Sequence, residues 1–299
     1  MNKVKEVKNV SENEPKSHAL VYARHDRGHT LAPGLFRSLK RGERKKSKLD
    51  ISYQIDEERT LRFIGFEPLG GDDLRVLQGL VALAGVDGDL LGESAVTKLG
   101  EELWRLLDVK HDFRNRDALT VGVKASTLLG EMGMSDGGEN IKAFKASLVR
   151  MANVTIIAKN GTKEASTHLL SYTYDEADGK LWVALNPQLV GGILGKQQYS
   201  LIDMDEIRRL KSDPARLLHQ RLCGWVDPGK SGKVEIDTLC GYVWPEQSDN
   251  KPSTERMRRV AVRKALVELE GLGWVVHEYA KGKWEIRRPK AQYLSLENR

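Results

Sequence analysis

The sequence predicts an α+β fold of two tandem modules, on two observations: one order of elements occurs twice, and the chain of 299 residues is long enough for two domains of ordinary size. The first copy opens on an apolar helix, LRVLQGLVALAG (Leu74–Gly85). A short alternating strand that leads into a small helix follows in VGVKASTLLGEMGM (Val121–Met134). A longer basic amphipathic helix then runs into a hairpin in IKAFKASLVRMANVTII (Ile141–Ile157). The second copy reads ARLLHQRLCGWV (Ala215–Val226), KVEIDTLCGYVW (Lys233–Trp244) and VAVRKALVELEGLGWVV (Val260–Val276). A winged helix-turn-helix needs that order of elements. The expected organisation is a basic N-terminal arm over 1–48, an N-terminal winged-helix domain over 49–186, a linker and connecting helix over 187–211, a C-terminal winged-helix DNA-binding domain over 212–290, and a tail over 291–299.

The basic run Arg37–Lys48, containing Arg41, Arg44, Lys45, Lys46 and Lys48, is too polar to bury and is expected to lie along a DNA groove or to form a flexible coat. Ile51, Tyr53 and Ile55, then Leu61 and Phe63, alternate on either side of Asp56-Glu57-Glu58 and predict a hairpin. Asp72 or Asp73 can cap Leu74–Ala84, and Ser126 can cap Thr127–Met132. Ile141, Phe144, Leu148 and Met151 form the apolar stripe of the third helix, which leaves Lys142 and Lys145 for phosphate. Val154–Ala158 is expected to turn at Asn160-Gly161 into His168–Tyr174, with Leu181–Ala184 as a third strand. Glu131, Asp136 and Glu139 would repel phosphate, so backbone contacts or a protein interface suit this module better than base reading.

In the second module Ser212 can cap a helix with Pro214 in its first turn, and Leu217, Leu218, Arg221 and Leu222 recur at helical spacing. Asp237 is the expected cap of Thr238–Val243. From Ser253 a helix runs to about Leu272, with Val262, Ala265, Leu266, Leu269 and Leu272 on one side and Arg256, Arg259 and Arg263 roughly opposite. Arg258 and Lys264 lie on the same helix and join the expected DNA contacts. Trp274–Glu278 and Lys283–Arg288 flank the turn Tyr279–Gly282 as the wing, with Lys281 and Lys283 placed to reach phosphate.

Charge supports a polyanionic partner. The formal net charge is +6, but Lys16–Lys48 alone carries +8 and Lys251–Arg299 +6, leaving −8 over residues 49–250. The 2 cysteines, Cys223 and Cys240, form no Cys-x-x-Cys pair, and no apolar run approaches the ~20 residues of a membrane helix. A soluble, cytoplasmic protein is expected.

Catalytic motifs are weak. Gly224–Ser231 fits G-x-x-x-x-G-K-S, but it follows a helix and leads into a strand, whereas a phosphate loop leaves a strand and opens a helix. His25 and His29 are spaced i, i+4 without an acidic residue at the metalloprotease position, and Gly28 and Pro33 oppose a continuous helix. Asp72-Asp73 is better explained as an acidic helix start. The expectation is no enzyme, no metal and no cofactor.

Several long runs resemble one family closely: HDRGHTLAPGLFRSLKRGER (His25–Arg44), ADGKL (Ala177–Leu181) with ALNP (Ala184–Pro187), ARLLHQRLCGWVDPGK (Ala215–Lys230) and IDTLCGYVWP (Ile236–Pro245). They are similar to the RepC family, the replication initiators of IncQ broad-host-range plasmids. The resemblance covers about His18 to Lys290 and is weakest over Asp87–Asn115. It implies a non-enzymatic initiator with two winged-helix domains that binds directly repeated iterons in double-stranded origin DNA. It further implies opening of adjacent A+T-rich DNA and support for loading a plasmid-encoded replicative helicase, with a primase acting afterwards. It places Arg256, Arg259 and Arg263 on the DNA-reading helix. A monomer could cover one direct repeat, and the free protein could be a homodimer. A tandem winged-helix transcriptional repressor would share the fold and the charge.

Overall fold

Runs of alternating apolar and polar residues become strands, and runs with a 3.6-residue period become helices. The computed structural model describes residues 18–40, 42–91, 98–108, 118–245 and 251–290. Its elements are β1 (Tyr22–Asp26), α1 (Arg27–Leu31), a 3-10 turn (Arg44–Lys46), β2 (Leu49–Gln54), β3 (Arg59–Gly65), α2 (Gly71–Asp87), β4 (Asp89–Leu91), α3 (Lys98–Leu106), β5 (Ala118–Lys124), α4 (Ala125–Glu131), α5 (Gly138–Ala152), β6 (Thr155–Asn160), β7 (Lys163–His168), β8 (Leu170–Tyr174) and β9 (Lys180–Leu185). There follow α6 (Pro187–Ile193), β10 (Tyr199–Asp203), α7 (Met204–Arg209), α8 (Asp213–Trp225), β11 (Ser231–Glu235), α9 (Ile236–Val243), α10 (Pro252–Glu270), β12 (Val275–Ala280) and β13 (Lys283–Arg287). Among the described residues no helix is long and apolar enough to cross a membrane.

The hairpin β2–β3 sets Ile51 opposite Phe63 and Tyr53 opposite Leu61, as the alternation requires. With β6 and β7 it makes an antiparallel sheet of order β2-β3-β6-β7, and a second sheet has the order β4-β5-β9-β8. The expected turn from Val154–Ala158 into His168–Tyr174 is corrected. β6 turns at Gly161 (φ 58°) into β7, and the chain then changes sheets, so that β8 pairs with β9. Leu169 and Leu170 are both fully buried. Leu169 is the bend between the two strands and Leu170 opens β8, so the chain changes sheets at a point where both side chains enter the core.

Helix starts depart from expectation for one shared reason. α4 and α9 begin directly at the ends of β5 and β11, where Lys124 (ψ 135°) and Glu235 (ψ 149°) already have the extended backbone that a cap position requires. Ser126 and Asp237 therefore fall inside the first turn and are not caps. In α2 Gly70 occupies the cap position, and Asp73 reaches back from the first turn to accept its N–H at 2.7 Å. Ser212 caps α8 as expected, accepting the Ala215 N–H. α10 starts at Pro252, with Val262, Ala265, Leu266 and Leu269 buried and Leu272 half-buried.

Residues 18–48 are not an arm. β1 pairs antiparallel with β10, Leu20, Ala23, Leu35 and Phe36 are buried, and Glu131 accepts the Leu20 N–H at 3.0 Å. The Ser38 N–H donates to Val243 O of α9 at 2.9 Å. Basic residues crowd its second half, but the apolar residues of its first half need cover and decide its path. Residues 1–17, Arg41 and the tail 291–299 lie outside the described residues. The expected linker 187–211 is also woven in, as α6, β10 and α7, burying Leu189, Ile193, Ile202, Met204 and Ile207.

α2 is buried on nearly every side from Gly71 to Ala84, as befits a central helix. One apolar core runs from Leu20 to Ile286 through both halves of the chain. Within it Gln78 of α2 donates to Gln220 of α8 at 2.6 Å. α1 meets α8 at Gly224, where a Cβ would stand 2.6 Å from the Thr30 methyl, so only glycine permits the approach.

Candidate nucleic-acid interface

α10 is seated on α8 and α9 by its apolar stripe, which fixes what it turns outward. Arg256, Arg263 and Lys264 are exposed, together with Met257, Val260 and Val267. Arg259 departs from the ridge predicted for it. It lies between the buried stripe and the outer face, where its guanidinium meets Asp237 of α9, Nε–Oδ1 at 2.6 Å and Nη2–Oδ2 at 3.0 Å. Arg258 stacks its guanidinium 5.4 Å from the Trp244 ring centre. Beneath them burial, reinforced by Asp237, pushes the Cys240 thiol up to about 11, so it stays protonated at neutral pH.

The hairpin expected as the wing is β12–β13, third and second in the sheet β11-β13-β12. Its strand runs farther than predicted, to Ala280, through a bulge that leaves Tyr279 exposed, and the turn is Lys281-Gly282 with Gly282 at φ 74°. The Gly282 N–H donates to Glu278, and Gly282 O accepts the Ile236 N–H at 2.8 Å, which fastens the wing tip to the start of α9. Lys281 and Lys283 are exposed at that tip. Lys233, which the sequence reading passed over, extends beside them with its ammonium 5.1 Å from the Tyr279 ring centre.

In the first half Lys142 is exposed on α5, whereas Lys145 pairs with Glu176 and lies 4.7 Å from the Tyr174 ring centre. Lys159 and Lys163 are exposed on either side of the β6–β7 turn, and Lys163 opens its strand as Lys283 does in the C-terminal hairpin. The Asn160-Gly161 turn was legible in the sequence, and its flanking lysines were the signal that went unused.

The basic run divides. Lys45, Lys46 and Lys48 are exposed. Arg44 instead contacts Asp72 at 2.6 Å and Asp73 at 3.0 Å, and buried Arg150 contacts Asp73 from the other side, Nη2–Oδ1 at 2.7 Å. Burial opposes ionisation of Asp72, but Arg44 and Arg150 hold it below the ordinary carboxylate range. Asp72 and Asp73 are thereby neutralised within the fold.

Histidine chemistry here is structural. Asp26 caps α1, accepting the His29 N–H at 3.0 Å and contacting His29 Nδ1 at 2.7 Å, while burial, with help from His29, lowers His25 to about 4. Gly224 sits inside α8 and Ser231 opens β11, so the stretch resembling a phosphate loop joins a helix to a strand. Among the described residues one set of metal-ligand types converges, Glu206, His219 and Cys223, with ligand atoms within 4.8 Å of one another. His219 Nε2 lies 2.5 Å from Glu206 Oε2, an ion pair between α7 and α8, and 3.5 Å from Cys223 Sγ.

Comparison with known proteins adds to this geometry. The family model described as Replication protein C (RepC) matches residues 17–290. No curated protein matches the chain by sequence. Two crystal structures of RctB domains 2 and 3 resemble it in fold. One, of selenomethionine derivatives, has a TM-score of 0.51 at 10% identity, covering 90% of this chain and 98% of that one. The other has a TM-score of 0.52 at 11% identity with the same coverage. The shared architecture is one of several helices with open sheets.

Proposed function

Since the chain belongs to the RepC family, we propose that it acts as an origin-binding replication initiator through two tandem winged-helix domains, the second of which reads iteron DNA with α10. It works by binding and not by catalysis. The observation that carries the reading is the outward face of α10: Arg256, Arg263 and Lys264 project from a helix held rigidly by its own buried stripe, as entry into a major groove requires. Lys281 and Lys283 at the wing tip, joined by Lys233, would take backbone phosphates alongside. Lys159, Lys163 and Lys142, with Lys45, Lys46 and Lys48, would give the first half its own backbone contacts.

On this reading the protein holds direct repeats, strains the neighbouring A+T-rich tract, and presents a surface to the plasmid-encoded helicase, with primase acting later. The setting is the cytoplasm, and the free protein pairs as a homodimer. Hydroxyl-radical footprinting with permanganate probing on supercoiled origin DNA tests it. Protection of the repeats with reactive thymines beside them is the expected result. Protection without reactive thymines would identify a repressor instead.

A further inference from the structure

The outward face of α10 is not purely cationic. Met257 is 71% exposed, Val260 44% and Val267 64%, and these are the large apolar side chains that the helix leaves to solvent. All three lie on the side bearing Arg256, Arg263 and Lys264. Val260 holds the centre of that side: its i±4 neighbours are Arg256 and Lys264, and its i±3 neighbours are Met257 and Arg263.

Resting on the reading of α10 as the groove helix, we propose that Val260 is a specificity-determining residue that reads the 5-methyl group of thymine. Along the floor of the major groove guanine, adenine and cytosine present polar atoms, and thymine alone adds a methyl. The positive charge around it draws the helix towards the polyanionic duplex and brings this apolar knob to the base edges. Valine in a helix is held close to one rotamer, so its methyls arrive ordered and little freedom is lost on contact. A serine or lysine at this position would serve solubility better. Arginine side chains select guanine, so Val260 adds a preference at base pairs that the arginines do not specify.

The test uses the full chain and duplexes enriched by it from a random pool, with each thymine in turn replaced by deoxyuridine, which lacks only the methyl. Wild-type protein should lose affinity by roughly fourfold at one or two positions, the equivalent of one buried methyl. The Val260→Ala variant should bind thymine and deoxyuridine versions alike, with an unchanged melting temperature because the side chain is exposed. Wild-type indifference to deoxyuridine at every position overturns the proposal. So does a methyl dependence that survives in Val260→Ala, or that vanishes only in Met257→Ala. If no sequence is enriched and Arg256→Ala changes nothing, the groove assignment of α10 fails first and takes this inference with it.

Discussion

Arg259 and Asp237 are joined by two contacts, 2.6 and 3.0 Å long, that tie α10 to α9. The pair divides the arginines of α10 between two tasks. Arg259 bridges to the neighbouring helix, and Arg256 and Arg263 are left to face outward. It also sets a carboxylate at the edge of the surface proposed to meet DNA.

Asp237→Asn should therefore strengthen binding to random duplex DNA at low salt. The change removes a repelling charge and releases Arg259. If Arg259 then meets a phosphate, the slope of log affinity against log salt steepens by about 0.9. An unchanged slope would leave Arg259 a helix-positioning residue even without its partner.

Alanine at both Arg256 and Arg263 should weaken iteron binding far more than binding to random DNA. A good bidentate contact to a base discriminates by about 1–3 kcal/mol, whereas a phosphate contact discriminates not at all. Titration of both duplexes at one salt concentration decides it, and equal weakening would make the two arginines phosphate ligands.

Leu266→Asp should unfold the second half or leave it without fixed packing. Leu266 is 1% exposed, and a carboxylate there would lose its water without gaining a partner. Loss of near-ultraviolet circular dichroism is the expected signature. A normal melting transition would reverse the assigned faces of α10.

Deleting residues 18–48 should destabilise the whole protein, because β10 would lose β1 and the core would lose Leu20, Leu35 and Phe36. Replacing Lys45, Lys46 and Lys48 by alanine should instead lower the salt slope and leave the melting temperature near its wild-type value. If the triple variant keeps the full slope, these lysines do not touch DNA.

The Glu206–His219 pair should make stability depend on pH. Burial opposes the charged imidazole, but Cys223 and Glu206 overcome it and push His219 from 6.5 up to about 10. Its stabilisation is complete below pH 6.5 and is lost as pH rises towards 10. Burial likewise opposes the Glu206 carboxylate, but His219 holds it below its ordinary 4.5, so that share is present above pH 4.5 and fades on acidification. Glu206→Gln would remove the partner that keeps the buried imidazole protonated, at a cost of about 3–5 kcal/mol near pH 6. Thermal melts from pH 5 to 10 should show that deficit narrowing at the alkaline end.

Much of this was legible in the chain. The stripe of α10, the β2–β3 hairpin and the Ser212 cap follow from local period and local chemistry, and their positions hold. Periodicity says which side chains need cover, but it does not say what provides it. Nothing near Arg150 announces that its partner is Asp73, and nothing near Arg44 announces that it serves the same carboxylates. Lys145 looked available for phosphate until folding brought Glu176 beside it. The charge clustered between Arg37 and Lys48 masks the apolar residues before it, Leu20, Ala23, Leu35 and Phe36, that determine the segment's course. Helical angle alone grouped Arg259 with Arg256 and Arg263. Its distance from the stripe was small enough for a neighbouring helix to claim it.

The bond between Gln78 and Gln220 lies inside a core that both halves share, and that continuity sets a mechanical condition on any duplex gripped at two places. Two readers joined by a hinge would follow whatever spacing the DNA offered. Contact surfaces set on one shared core would not, so on the proposed reading a mismatch with the duplex repeat would be absorbed as twist or bend in the DNA, falling most heavily on its softest steps. The protein would then act as a fixed gauge against which the double helix is deformed.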